Sequence, residues 1–321
     1  MEWYWIVTIA VGGVLALMAI YTLFCLIIAK GLLKMAVTPK ANTLEFAREY
    51  QLEHEDISFD TYDNKWNREK FEVDGIKGKI RGEVIFNEKK SVPSKVVVVC
   101  HGHTWNRINS IKYASIFYAK GYDLVIYDHA YFGESDGDFT TVGDSERYDL
   151  NSVLNFVREK FGKDAIVGLH GESMGAATVL LSLGLRKDVD FVVADCPYSE
   201  TMAYYRQLCV HVTHLPSFPI VDMANAMAKR KFGYDFRKAS PILAVQQSDT
   251  PICFIHGKAD TFILPMHSEK MFEVCKNPLS ELHLVEGAEH ARSHVTGKDA
   301  YWKIVGDFVD KIENSIADNR K

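Results

Sequence analysis

At 321 residues, 47% hydrophobic and 25% charged, the chain can bury a substantial core, and one large domain suits it as well as two. The net charge of −5 and the lack of any outstanding basic face argue against nucleic acid as a partner, because phosphate binding draws on clustered Lys and Arg. No acidic tail or low-complexity tract is present.

Trp3 to Ala29 contains no charged residue and is rich in Ile, Val, Leu, Ala and Phe. As a helix rising about 1.5 Å per residue it is long enough to cross a hydrocarbon core of about 30 Å. Trp3, Tyr4 and Trp5 cluster at its start, where amphipathic rings favour the interface. A cleaved signal peptide is the alternative. Glu2 with no Lys or Arg before the span, an apolar run longer than the usual h-region and the lack of an A-x-A-like site favour an uncleaved, single-pass anchor over residues 1–30. Lys30, Lys34 and Lys40 follow the span and nothing basic precedes it, which places the C-terminal side in the cytoplasm. Cys100, Cys196 and Cys253 lie in or at the end of apolar strand-like runs, where free thiols pack as small hydrophobes, and no disulfide framework is evident.

Residues 31–52 read as a polar linker with a short helical piece, Pro39 discouraging continuous helix from the membrane. From 53 to the C-terminus the pattern is that of an α/β domain. Ile57 to Thr61, Lys70 to Val73 and Lys79 to Phe86 have β-type content broken by Gly75, Gly78 and Gly82, which predicts an opening antiparallel set. Val96 to Cys100 is a continuous apolar run, as in a strand buried on both faces. Strands at Tyr122 to Tyr127, Ala165 to His170, Phe191 to Ala194, Pro251 to His256 and Glu281 to Val285 then alternate with helices. Those helices are marked by the stripes Ile111–Tyr118, Leu150–Val157, Met174–Leu185 and Tyr301–Ile312. Such alternation predicts a mostly parallel sheet with helices on both faces. Tyr198 to Ser240 interrupts it and reads as a cap, carrying Met202, Tyr204, Tyr205, Leu208 and Phe218 over a pocket. Lys229, Arg230, Lys231, Arg237 and Lys238 follow as a basic stretch, either a solvated face or one that meets anionic lipid headgroups.

Gly171-Glu172-Ser173-Met174-Gly175 sits where a strand runs into a small-residue helix, the setting of a nucleophile elbow. A serine hydroxyl is a weak nucleophile and needs a base, itself held by a third group. Asp260 follows the strand Pro251–His256, and His290 follows the last strand, giving the order serine, acid, histidine. Asp260 is favoured over Asp249, which precedes its strand, and over Asp195. His290 and His294 could share a helical face and hold a metal, but two histidines without a third ligand make a weak site, and neither metal nor other cofactor is implied. His101 reads as structural, His103 as a possible pocket residue, and His211 and His214 as surface or cap residues. Cys100-His101-Gly102-His103 ends a strand, and the amides of His103 and Met174 are placed to form an oxyanion hole.

These motifs, with Ile255-His256-Gly257-Lys258-Ala259-Asp260 and Gly287-Ala288-Glu289-His290, make the chain resemble the α/β-hydrolase superfamily from about residue 53 onward. It is most similar to membrane-tethered bacterial serine hydrolases related to the serine aminopeptidase-like and monoacylglycerol lipase-like branches. The D-x-R-G-x-G-x-S turn of that family reads Asp128 to Ser135 here, with Ala130 and Tyr131 where Arg and Gly are usual. The resemblance implies an α/β-hydrolase fold with a helical cap and two-step acyl transfer on a small-molecule ester or lipid-like substrate. A peptidase with Glu172 or Glu200 pairing a substrate amine, and a tethered binding protein without catalysis, are the competing expectations.

Overall fold

The computed structural model describes residues 3–55 and 58–319. Helices α1 (Trp3–Val37), α2 (Leu44–His54) and α3 (Asp60–Asn64) lead into the hairpin of β1 (Asn67–Gly75) and β2 (Gly78–Phe86). Strands and helices then alternate through β3 (Lys95–Cys100), α4 (Ile111–Ala119), β4 (Asp123–Tyr127), α5 (Glu146–Phe161), β5 (Ile166–Glu172), α6 (Met174–Ser182) and β6 (Phe191–Asp195). Helices α7 (Thr201–Thr213), α8 (Ile220–Phe232) and α9 (Pro241–Gln246) intervene before β7 (Ile252–Gly257), α10 (Met266–Glu273) and β8 (Glu281–Val285). The short α11 (Ser293–Thr296) and the long α12 (Lys298–Asn319) follow.

The eight strands form one sheet in the order β1-β2-β4-β3-β5-β6-β7-β8. β2 runs antiparallel to β1 and β4, and every other pairing is parallel. Val96 and Val98 enter the core on one face, with Leu150, Val153 and Val157 of α5 and Val179 and Leu180 of α6. Val97 and Val99 enter the other, with Phe117 of α4 and Tyr301, Val305 and Phe308 of α12. A strand covered on both sides has no polar face to alternate with, hence the unbroken valine run. The chain enters the parallel part at β3, moves out to β4, and returns past β3 to β5. Ligand sites of open α/β sheets lie at the C-terminal strand ends beside such a reversal.

Three expectations change. α1 does not end near residue 30: it runs on to Val37, with Cys25, Ala29, Leu33, Ala36 and Val37 buried and α8 packed alongside. The stretch expected as a polar linker with a short helical piece, 31–52, therefore begins with a docked helical end, and its helical piece is α2 from Leu44, whose Ala47 and Gln51 are buried. Pro39 interrupts the helix only after the docked turn. Third, the strand expected over Ile57–Thr61 is replaced by the single-turn α3: Phe59, Tyr62 and Trp66 recur at three and four residues and are all buried, a helical rather than an alternating spacing. Ile57 itself, like Glu2, lies outside the described residues. From Trp3 to Phe24 every side chain of α1 is exposed, and α1 is a candidate membrane span by length and composition.

One glycine at the sheet centre fixes local packing. Gly168 of β5 pairs with Phe191 of β6, and a β-carbon on Gly168 would stand 2.1 Å from the Phe191 ring. That ring is enclosed by Phe117, Tyr122 and Phe308 and has nowhere to go. Gly168→Ala is expected to destabilise the domain by about 1–3 kcal/mol through overpacking. Gly184→Ala, where the nearest atom is 3.4 Å away, should leave stability unchanged. Thermal unfolding of the two variants checks this, and equal melting temperatures would refute it.

Candidate active site

β5 carries its pairing as far as Glu172, so the turn into α6 is made by Ser173 alone. Ser173 has φ 55° and ψ −112°, a conformation that costs a side-chain-bearing residue on the order of 1–3 kcal/mol. It is held there by its own N–H, which donates to the Asp195 carbonyl at 2.8 Å. Both flanking glycines are required by close backbone approach. A β-carbon at Gly171 would lie 2.4 Å from the Gly175 carbonyl, and one at Gly175 would lie 2.2 Å from the Cys100 oxygen.

The loops after β7 and β8 bring two side chains to the serine. Ser173 Oγ lies 2.9 Å from His290 Nε2, and His290 Nδ1 lies 2.7 Å from Asp260 Oδ2. A carboxylate only accepts, so Nδ1 carries the proton and Nε2 is free to accept from the serine hydroxyl. Asp260 Oδ1 accepts the N–H groups of Phe262 and Ile263 at 2.9 and 2.8 Å. His256, which sequence reasoning did not single out, places Nε2 3.3 Å from Asp260 Oδ2 and donates to the Ile263 carbonyl. Burial pushes the Asp260 carboxyl up, but hydrogen bonds from His256, His290 and the Ile263 amide outweigh it and hold it well below the ordinary range.

His103 and Met174 line the same cavity as Ser173, and neither amide has a backbone acceptor among the described loop hydrogen bonds. His101 fixes the turn between them and β3: its Nε2 accepts the His129 N–H at 2.9 Å, so its Nδ1–H donates to the Gly102 carbonyl at 2.8 Å. Burial pushes this imidazole down to about 4 and keeps it neutral. The His103 ring donates from Nε2 to the Ala36 carbonyl of α1 at 2.9 Å. Asn42 N–H reaches the Thr104 carbonyl at 2.9 Å, and the Asn106 amide reaches the Asn42 and Thr43 carbonyls. The neighbouring Asp128–Ser135 turn keeps its polar anchoring despite Ala130. Arg107, from the loop after β3, supplies a guanidinium to Asp128, while Ser135 Oγ donates to the Asp128 carbonyl at 2.6 Å.

The cavity above Ser173 has a volume of about 220 Å3 and is walled by Trp105, Val142, Tyr198, Tyr204, Phe262 and Ile263. Tyr204 comes from α7, so the expected cap does reach the site. Glu172 lies at the cavity edge but is engaged from behind by Lys112 Nζ at 2.7 Å and by Tyr113. Burial alone would lower Lys112, yet Glu172 and Glu55 outweigh it and raise it above its ordinary value, so Lys112 stays protonated. Glu200 is exposed and outside the cavity. Asp195 meets Tyr113 at 3.4 Å rather than a histidine, and burial with Glu172 nearby pushes its carboxyl up to about 7.

The structure does not pair His294 with His290. It is buried against the rings of Tyr113 and Tyr301, and burial pushes it down to about 3. Two other groups, Cys196 with Asp260 and His290 and Cys253 with Glu281 and His283, bring donor atoms within 4.8 Å of one another. Burial raises both thiols well above their ordinary range, whereas a metal needs the thiolate. In the first group the carboxylate and imidazole are also engaged with each other.

Residues 91–224 match the family model for serine aminopeptidase, S33. Over 224 residues the chain is 36% identical to the uncharacterized protein YqkD of Bacillus subtilis, covering 68% of this chain and 72% of that protein. It is 24% identical over 197 residues to an uncharacterized membrane protein of Saccharomyces cerevisiae, covering 60% of this chain and 63% of that one. Among solved structures, the Pyrococcus furiosus esterase Pf2001 superposes with a TM-score of 0.64 at 22% identity, covering 78% of this chain and 95% of that one. With the strand order, the elbow and these matches taken together, the chain belongs to the α/β-hydrolase superfamily.

Proposed function

We propose that this hydrolase is a membrane-anchored serine esterase, with Ser173 as nucleophile, His290 as general base and acid, and Asp260 as its orienting group. The relay from Ser173 Oγ through His290 to Asp260, at the tip of a strained turn, carries the reading. Ser173 Oγ bonds to the substrate carbonyl carbon while its proton passes to His290 Nε2. The carbonyl oxygen takes up the electron pair between the amides of His103 and Met174, each donor being worth about 3 kcal/mol in the transition state. The imidazolium then protonates the departing alkoxide. Water, deprotonated by the same Nε2, releases the acid and restores Ser173.

Carboxylic esters come first because their leaving groups need less activation than amines. An aminopeptidase also needs an unpaired acid for the substrate amine, and among the described lining residues the one acid, Glu172, is already neutralised by Lys112. The family description as a serine aminopeptidase keeps a peptidase as the second reading. The cavity is smaller than the roughly 300 Å3 at which pockets for drug-sized ligands begin, which favours a short acyl group. α1 serves as the anchor, a role supported by the name of the yeast relative. Lys30, Lys34 and Lys40 after the span support a domain on the cytoplasmic side.

A fluorophosphonate probe should label the full-length protein and fail to label Ser173→Ala. Asp260→Asn should retain the fold and lose about 10⁴-fold in kcat. A well-folded wild type that resists the probe would leave only a binding protein. Across p-nitrophenyl esters, butyrate should turn over faster than laurate, and aminoacyl-amide turnover without ester turnover would install the peptidase. Added protease should digest the C-terminal domain only after the membrane is broken; digestion in intact cells would reverse the topology.

A further inference from the structure

Away from Ser173, a groove of about 550 Å3 opens between the last turns of α1 and α8. Its floor is apolar, formed by Leu33, Met227 and Phe232, and Lys30, Lys34, Arg230 and Lys231 stand around it. None of the four has a carboxylate partner among the described residues, and all four are exposed. Their neighbours behave differently: Lys229 is paired with Asp235 at 2.9 Å and Arg237 with Asp222 at 3.3 Å. Four unneutralised cations around one cleft repel each other unless an anion sits among them.

The position of the cleft says what that anion is attached to. Lys30 immediately follows the uncharged run Trp3–Ala29, at the level where hydrocarbon gives way to headgroups. Lys30 and Lys34 are one turn apart on α1, and Arg230 and Lys231 close the end of α8. A free inorganic anion would gain nothing from the apolar floor, whereas an amphiphile satisfies floor and rim together.

We propose that this groove binds an anionic glycerophospholipid of the surrounding membrane. Lys30, Lys34, Arg230 and Lys231 hold the phosphate, and the acyl chains run back along the exposed apolar face of α1. The site rests on α1 being a membrane span. Because α8 belongs to the cap over Ser173, the lipid joins anchor and cap through a shared headgroup.

Full-length protein in detergent, titrated with phosphatidylglycerol or phosphatidylcholine of the same acyl chains, tests this when bound lipid is counted by native mass spectrometry. Each basic side chain at an anionic headgroup contributes about fivefold. Phosphatidylglycerol should therefore bind at least about twenty-five-fold more tightly than phosphatidylcholine. Arg230→Gln with Lys231→Gln should remove about that factor, and so should Lys30→Gln with Lys34→Gln, with melting temperatures unchanged. Equal binding of the two lipids, or pairs of substitutions without effect, would overturn the site. So would displacement by inorganic phosphate at the same concentration, which would mean a simple anion site. Carbonate extraction of native membranes separates the two readings. Protein that stays in the pellet without lipid preference keeps its anchor and loses this site, and protein that is released loses the anchor.

Discussion

Cys100 of β3 lies in register with Gly171 of β5, and its carbonyl comes so near Gly175 that no β-carbon fits between. This contact brings the ends of two non-consecutive strands together, and the site is assembled around it. One strand delivers the serine and the other delivers the loop bearing His103. With Gly175 enlarged, α6 would have to back away from β3, and the Met174 amide would part from the amide of His103. The strained serine conformation is tolerable because the surrounding sheet over-determines it: strands on both sides of β5 are buried and paired to their last residues.

Buried charge does a second kind of work. Arg107 joins Glu83, Asp128 and Glu134, and Lys112 joins Glu55 and Glu172. Apart from that with the half-exposed Glu134, these pairs are buried; pairs this deep add little net stability over an apolar replacement, but breaking one leaves a stranded charge at a cost of about 3–5 kcal/mol. They therefore act mainly as constraints on loop position. Arg107 holds the Asp128–Ser135 turn, in which Ala130 stands where an arginine is usual, and Lys112 fixes Glu172 immediately beside Ser173. Asp260 is constrained in the same way by two amides and two imidazoles around it.

The strands, their buried character and the three residues that meet at the cavity were legible because each has a local signature. Valine runs mark strands covered on both faces, and Ser173, Asp260 and His290 each follow a strand at a glycine-marked turn. What escaped reading depends on partners far away in sequence. Arg107 and Lys112 sit near a helix start like ordinary surface cations, and only the folded chain brings carboxylates 57 or more residues away onto Lys112. His256 reads as a strand terminus until the turn folds Asp260 back over it. The segment around Phe59 contains enough β-type residues to look like a strand, yet its aromatic spacing is helical. The docking of α1 beyond residue 30 had no local signal at all, because Ala29, Leu33 and Ala36 look the same whether they face lipid or α8.

The bond from the His103 ring to the Ala36 carbonyl makes the first helix a strut rather than a leash. Its last turn also accepts the Thr140 N–H on Val37, and Pro39 accepts the Tyr131 hydroxyl. A domain trimmed of this helix to make it soluble would keep Ser173, His290 and Asp260 but lose the brace behind the His103 amide. With α1 in a bilayer, its tilt and depth answer to hydrocarbon thickness. As the proposed anchor, α1 would pass the thickness of the membrane on to the geometry around Ser173.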